Sequence, residues 1–163
     1  MVQAITKDKI WEFLEDVKDP EVPVLSVVDL GVVRDVNLTY DTWMIDITPT
    51  YSGCPAMQVI ENDIVDRLKQ EGLKVKVNTV LSPPWTTDWM SEAGKKKLKE
   101  YGIAPPENEV DKSVLFGEAT VVPCPVCDSR NTKMVSQFGS TACKAHYKCL
   151  DCLEPFDYFK CLR

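Results

Sequence analysis

The sequence predicts an α+β domain followed by a small four-cysteine zinc ribbon, and three observations carry that expectation. Segments with helical and strand periodicity follow one another as α-β-β-α-β-α over the first 102 residues. Six of the seven cysteines then crowd between Cys124 and Cys161. Four of those six form two C-x-x-C pairs, the pattern of a metal-holding ribbon.

The first helix begins at Thr6, a suitable cap, and carries Ile10, Phe13, Leu14 and Val17 at i, i+3, i+4 and i+7. Asp19-Pro20 stops it, because proline cannot continue the backbone ladder. Pro20-Glu21-Val22-Pro23 follows, and local turn chemistry accounts for Asp19 and Glu21. The stretch from Val24 to Gly31 is too irregular to assign.

Val32 to Thr39 reads as a strand, Tyr40-Asp41-Thr42 as a turn and Trp43 to Thr48 as the partner strand. Ser52-Gly53-Cys54-Pro55 opens a second helix with Pro55 at its first position, a buried stripe of Met57, Ile60, Ile64 and Leu68, and Gly72 at its end. Lys74 to Leu81 alternates as a half-exposed strand. After the rigid loop Pro83-Pro84-Trp85, Thr87 is placed to cap a third helix bearing Met90, Ala93, Leu98 and Tyr101, closed by Gly102. Trp11 and Trp43 read as packing residues, while Trp85 and Trp89 suit either the core or a partner surface. Lys95-Lys96-Lys97 reads as the solvated face of the third helix. The expected organisation is a domain over 1–102, a linker over 103–117 and a ribbon over 118–163.

In the ribbon, Cys124-Pro125-Val126-Cys127 and Cys149-Leu150-Asp151-Cys152 are separated by 21 residues. Two residues between cysteines let a tight turn direct both sulfurs at one ion, and a hairpin between the pairs can complete a tetrahedron. Such a ligand set favours zinc and also accepts iron. A closed four-thiolate site leaves no position for substrate, so the metal is expected to be structural. Cys143, His146 and Cys161 are further candidate ligands, able to replace one of the four or to build a second site. Cys143 and Cys161 also suit strand positions packed near the knuckles.

Cys54 stands apart, between Gly53 and Pro55 at the start of the second helix. Unpaired N–H groups and the helix dipole there are expected to lower its pKa, giving a reactive or metal-passing thiol. The alternative is a small residue filling a cap position. His146 is the only histidine, so Cys54 has no histidine in its own domain to serve as general base for acyl transfer. Glu-x-x-His pairs of the di-iron type and a glycine-rich nucleotide fingerprint are both missing from the sequence. Independent catalysis is therefore not expected.

Composition narrows the partners. Hydrophobic residues make up 44% and charged residues 27%, the balance of a folded globular chain. Residues 1–117 carry a net charge of −7 and residues 118–163 of +1. Neither balance provides a basic face for phosphates, so nucleic acid is not an expected partner. The first nine residues lack the apolar core of a signal peptide and no apolar run is long enough to span a bilayer, so a cytoplasmic location without membrane contact is expected.

Asp19-Pro20-Glu21-Val22-Pro23 through Asp29-Leu30-Gly31-Val32-Val33, together with Gly53-Cys54-Pro55, resembles the MIP-eighteen family domain of iron–sulfur cluster assembly. The segments 136–145 and 154–161 resemble the tail of the D-component family of phenylacetyl-CoA epoxidase, an enzyme also known as phenylacetate-CoA oxygenase. The resemblance implies an α-β-β-α-β-α domain of the MIP-eighteen type and an accessory role in phenylacetate catabolism. In that role the chain would help mature or repair the iron–sulfur or di-iron centres of the oxygenase and reductase subunits. It implies that Cys54 is the cluster-transfer thiol, with Asp19 and Glu21 as the acidic pair of its turn motif. One thiol cannot hold a cluster alone, so a transient iron–sulfur cluster would be shared across a homodimer or with the recipient. Three alternatives remain: a non-catalytic ribbon that docks the oxygenase, a general assembly protein for other recipients, and a stand-alone thiol enzyme.

Overall fold

The computed structural model describes residues 4–51, 53–106 and 121–160. The chain divides into two compact units, 1–94 and 95–163. In the first, α1 (Lys7–Leu14) is capped by Thr6, whose hydroxyl accepts from the Lys9 N–H at 3.3 Å. β1 (Val33–Thr39) and β2 (Thr42–Ile47) form an antiparallel hairpin. α2 (Ala56–Lys69) then carries the chain over to β3 (Lys74–Thr79), which pairs parallel with β2. Sheet order is β1-β2-β3.

The buried face follows from residue spacing. Trp43, Ile45 and Ile47 alternate along β2, and Ile10 and Leu14 are the buried residues of α1. On α2 the buried row is Ala56, Ile60, Ile64 and Leu68 at four-residue spacing, so Ala56 takes the place expected of Met57. The helix starts one residue later than expected, with Pro55 as its N-cap.

The segment from Val24 to Gly31, irregular in sequence, is built by side chains. Ser26 Oγ accepts from the Asp29 N–H at 3.0 Å while Asp29 Oδ2 accepts from the Ser26 N–H at 3.1 Å. This reciprocal pairing is a capping box and closes one helical turn, with the Leu30 N–H donating to the Ser26 carbonyl. Asp29 Oδ1 also accepts from Ser91 Oγ at 3.1 Å, which ties the turn to the chain 62 residues later. Trp85 is a core residue, 2% exposed, and its indole N–H donates to the Leu30 carbonyl at 2.8 Å. The Trp89 ring lies 3.5 Å from the Arg34 guanidinium carbon.

Downstream of this, the expected third helix begins later than its sequence signal. Thr86 caps a short 3-10 turn over Thr87–Trp89, and α3 runs from Glu92 to Glu100 with the Ser91 hydroxyl accepting from Gly94 N–H. Thr87 is therefore not its cap, Met90 and Tyr101 lie outside it, and Ala93 and Tyr101 are exposed. Gly94 and Leu98 are the helix's buried positions. Serine's hydroxyl competes for backbone donors more locally than the apolar spacing registers.

The second unit holds a four-stranded sheet of order β4-β7-β6-β5, made of β4 (Ile103–Ala104), β5 (Thr132–Ser136), β6 (Lys144–Cys149) and β7 (Pro155–Phe159). Ile103 and Ala104 fall in the segment read as a linker, yet they pair parallel with Asp157 and Tyr158 and are buried. Two prolines after them masked a strand this short in the sequence. The remainder of that segment from 107 lies outside the described residues. The core of this sheet is Ala104, Val122, Cys124, Ala145, Tyr147, Cys149, Phe156 and Tyr158. No helix among the described residues is long and apolar enough to cross a membrane.

Gly31 has φ +72°, and a Cβ there would sit 2.2 Å from the Trp89 carbonyl oxygen. Gly31→Ala is expected to destabilise the first unit by about 3 kcal/mol through overpacking and left-handed strain. Denaturant unfolding read by tryptophan fluorescence checks this, because all four tryptophans lie in that unit.

Candidate metal centre

Each C-x-x-C pair sits on the same backbone device. The Cys124 N–H donates to the Ser129 carbonyl and the Cys149 N–H to the Glu154 carbonyl, both five residues on and both at 2.9 Å. In each knuckle the residue four beyond the first cysteine is left-handed, Asp128 at φ +59° and Leu153 at φ +65°. Aspartate tolerates that region, whereas leucine is strained in it, so the second knuckle holds its shape against a local cost.

The hairpin formed by β5 and β6 brings the two knuckles together. The sulfurs of Cys124, Cys127, Cys149 and Cys152 all lie within 4.8 Å of one another. Cys124 and Cys152 are 3.7 Å apart, and Cys127 and Cys149 are 3.6 Å apart. A tetrahedron with metal–sulfur bonds of about 2.3 Å has edges of about 3.8 Å, so the ligand set fits one zinc-sized ion. Cys124 and Cys149 are buried, while Cys127 and Cys152 face outward.

Charge on the sulfurs agrees with this fit. The Cys152 N–H donates to the Cys149 sulfur at 3.5 Å and, with the Asp151 N–H, lowers the Cys149 pKa to about 7. The Glu154 N–H favours the Cys152 thiolate, but burial and the neighbouring sulfurs outweigh it and push that thiol up to about 12. The group can ionise fully only around a cation. Asp151 braces the two knuckles: its carboxylate accepts from Ser129 Oγ and, at 2.7 Å, from Asn131 Nδ2. Those hydrogen bonds hold its carboxyl below the usual value. Sequence reasoning missed Asp151, although an acid between paired cysteines was the available signal.

The structure keeps the other candidate ligands out of this centre. Cys143 precedes β6 while Cys149 ends it, and six residues of strand span roughly 20 Å. Its sulfur is buried 3.1 Å from Thr141 Oγ1, and its carbonyl accepts from the Lys160 N–H at 2.8 Å. His146 lies on the sheet face opposite Cys149 and sets Nδ1 3.3 Å from Asp157 Oδ1. Cys161 lies outside the described residues.

Cys54 precedes α2, with its carbonyl accepting from the Met57 N–H at 3.3 Å. It is half-buried, and its thiol is raised above the ordinary 9.0, first by burial and further by the charge of Glu21. The Ala56 N–H, Thr50 and Tyr51 favour the thiolate but do not overcome burial. This corrects the lowered pKa expected from a helix start. The turn motif divides in two. Asp19 is buried and its Oδ1 accepts from the Glu21 and Val22 N–H groups at 2.7 and 2.8 Å, a structural turn. Glu21 acts electrostatically on Cys54 across 33 residues of chain. Gly53 has φ +79°, and beyond its chain neighbours no described atom lies within 4 Å of where its Cβ would stand.

Two family models match the chain: an iron–sulfur cluster assembly protein family over residues 7–81 and a PaaD zinc beta ribbon domain over residues 108–160. A protein of Escherichia coli (strain K12), provisionally named as the D component of 1,2-phenylacetyl-CoA epoxidase, is 47% identical over 155 residues, 94% of this chain and 92% of that protein. An Fe–S protein maturation auxiliary factor of Staphylococcus aureus (strain USA300) is 38% identical over 83 residues, 49% of this chain and 93% of that one. A crystal structure of a domain of unknown function from Bacillus anthracis superposes with a TM-score of 0.53 at 33% identity, covering 56% of this chain and 90% of that one.

Asp151→Ala is expected to weaken zinc binding roughly 10- to 100-fold without removing a ligand, as measured by competition with a chromogenic chelator. Alkylation of Cys54, followed by peptide mass spectrometry, is expected to be slow at neutral pH, because a raised pKa leaves little thiolate there. Its rate should reach half-maximum above pH 9.0. Glu21→Gln removes the opposing charge, so the midpoint should move to lower pH and the neutral rate should increase.

Proposed function

The chain belongs to the D-component family of phenylacetyl-CoA epoxidase, and on that premise we propose that it is an accessory maturation factor for the metal centres of the epoxidase complex. The observation that supports this most is the setting of Cys54, a single half-buried thiol just before α2 on which the charge of Glu21 acts. At neutral pH the thiol keeps its proton and is a poor nucleophile toward organic electrophiles. A soft cation displaces that proton, since thiolate ligation releases it on binding. The carboxylate that opposes a bare thiolate favours the incoming positive charge, so Glu21 and Cys54 together select a metal cargo over acyl chemistry. Cys54 supplies one ligand, and the recipient or a second copy supplies the others needed to hold an iron–sulfur cluster in transit.

Zinc in this reading is resident and structural. Cys124, Cys127, Cys149 and Cys152 hold it with no open position, so it fixes the ribbon and takes no part in transfer. The recipients are the oxygenase and reductase subunits in phenylacetate degradation, and the setting is the cytoplasm. The docking-module reading, in which Cys54 is inert, is supported by the partial burial of that thiol.

Reconstitution of the metal-depleted epoxidase complex separates the two readings. Cys54→Ser is expected to abolish recovery of activity and of iron in the complex, while about one zinc per chain and wild-type docking are retained. Recovery equal to wild type with the serine variant would exclude the transfer role and leave docking.

A further inference from the structure

The ribbon sheet has two unlike faces. Ala145, Tyr147 and Cys149 of β6 and Phe156 and Tyr158 of β7 point into the core. Strand alternation sends Lys133 of β5, His146 and Lys148 of β6, and Pro155 and Asp157 of β7 to the opposite face, and Val135 sits in the register shift that brings Ser136 opposite His146. Lys133 and Lys148 stand directly across from each other in the antiparallel ladder, and both are exposed.

Like charges directly opposed on adjacent strands weaken a sheet. Among the described residues nothing relieves this pair, because neither lysine has an ion-pair partner there. Described acids of this unit are committed elsewhere: Glu100 to Lys96, Asp128 to Lys99, Asp151 to Ser129 and Asn131, and Asp157 to His146. Glu154 makes no ion pair with either lysine. Lysine on an edge strand protects against aggregation, which accounts for Lys133 on β5. That explanation fails for Lys148, whose strand β6 is interior. Apolar ground lies beside the charges, with Val135 60% exposed and Pro155 exposed.

We propose that this face docks a protein surface bearing clustered carboxylates, with Lys133 and Lys148 setting its orientation against Val135 and Pro155. Resting on the maturation role above, the occupant is the acidic surface of the recipient complex. Charge complementarity favours a protein over a polyanion. Two lysines match a small carboxylate patch, whereas a nucleic acid needs a longer row of cations to follow its phosphates, and the described face offers only this pair.

Binding of the full-length, zinc-loaded chain to the purified epoxidase complex, read by biolayer interferometry at low salt and at about 0.5 M salt, tests this. Wild-type binding is expected to weaken as salt rises. The double variant Lys133→Glu/Lys148→Glu should bind at least about tenfold more weakly at low salt, with zinc stoichiometry unchanged, while Lys133→Arg/Lys148→Arg binds as wild type. Wild-type affinity in the glutamate variant, salt-indifferent binding, or no binding of wild type to the complex would each overturn the assignment. A wild-type dimer that the glutamate variant converts to monomer in sedimentation would give the face to a second copy and overturn it too. Failure of the maturation role reads differently, as Cys54→Ser restoring the complex fully while the glutamate variant still fails to dock.

Discussion

Four sulfurs drawn within 4.8 Å of one another are the constraint on which the ribbon depends, because such a group is stable as thiolates only around a cation. The core of that unit is small, and two of its eight members, Cys124 and Cys149, are themselves prospective ligands. Metal centre and core are therefore one structure. Tyr147 stacks on Phe156 at 5.8 Å and meets Tyr158 edge-on at 5.9 Å, which fixes the strand whose last residue is Cys149. Apolar burial alone in so few residues falls short of the entropy cost of ordering them, a shortfall that ligation of a metal by the four sulfurs would make up.

The first unit solves a different problem. Its sheet and helices hold one thiol at a helix mouth without making it reactive. A helix N-terminus stabilises a thiolate, and the Ala56 N–H does so here, but burial and Glu21 act in the other direction and win. The same chain thus carries two kinds of cysteine chemistry. One set is prearranged around a single ion and closed. The other is a lone, half-buried thiol that burial and the charge of Glu21 hold in its protonated form.

Polar side chains carry much of the long-range order. Asp29 joins the Ser26 turn to Ser91, Trp85 reaches the Leu30 carbonyl, and Asp151 locks one knuckle to the other. Each is a buried or shared acceptor or donor whose loss would leave partners unsatisfied, so these residues specify geometry beyond what apolar packing provides. The lysine pair on the ribbon sheet is the exception, a repulsion with no counter-charge among the described residues.

Periodicity and spacing by themselves determined the order α-β-β-α-β-α, the burial of Ile10 and Leu14 on α1, and the four cysteines of the metal centre, because each of these signals is local. Motif resemblance pointed to Cys54 and its acidic turn, without saying which acid acts on it. Only tertiary structure separated Glu21, whose charge reaches Cys54, from Asp19, which is consumed by its own turn. Only tertiary structure made Ile103 and Ala104 a strand, since a two-residue segment has no period and acquires its hydrogen bonds from β7. It likewise removed Cys143 and His146 from the ligand set, through strand length for one and strand alternation for the other. Residue type and spacing announce which atoms can bind a metal; the direction and burial of each side chain, set by contacts distant in sequence, decide which of them do so and at what pKa.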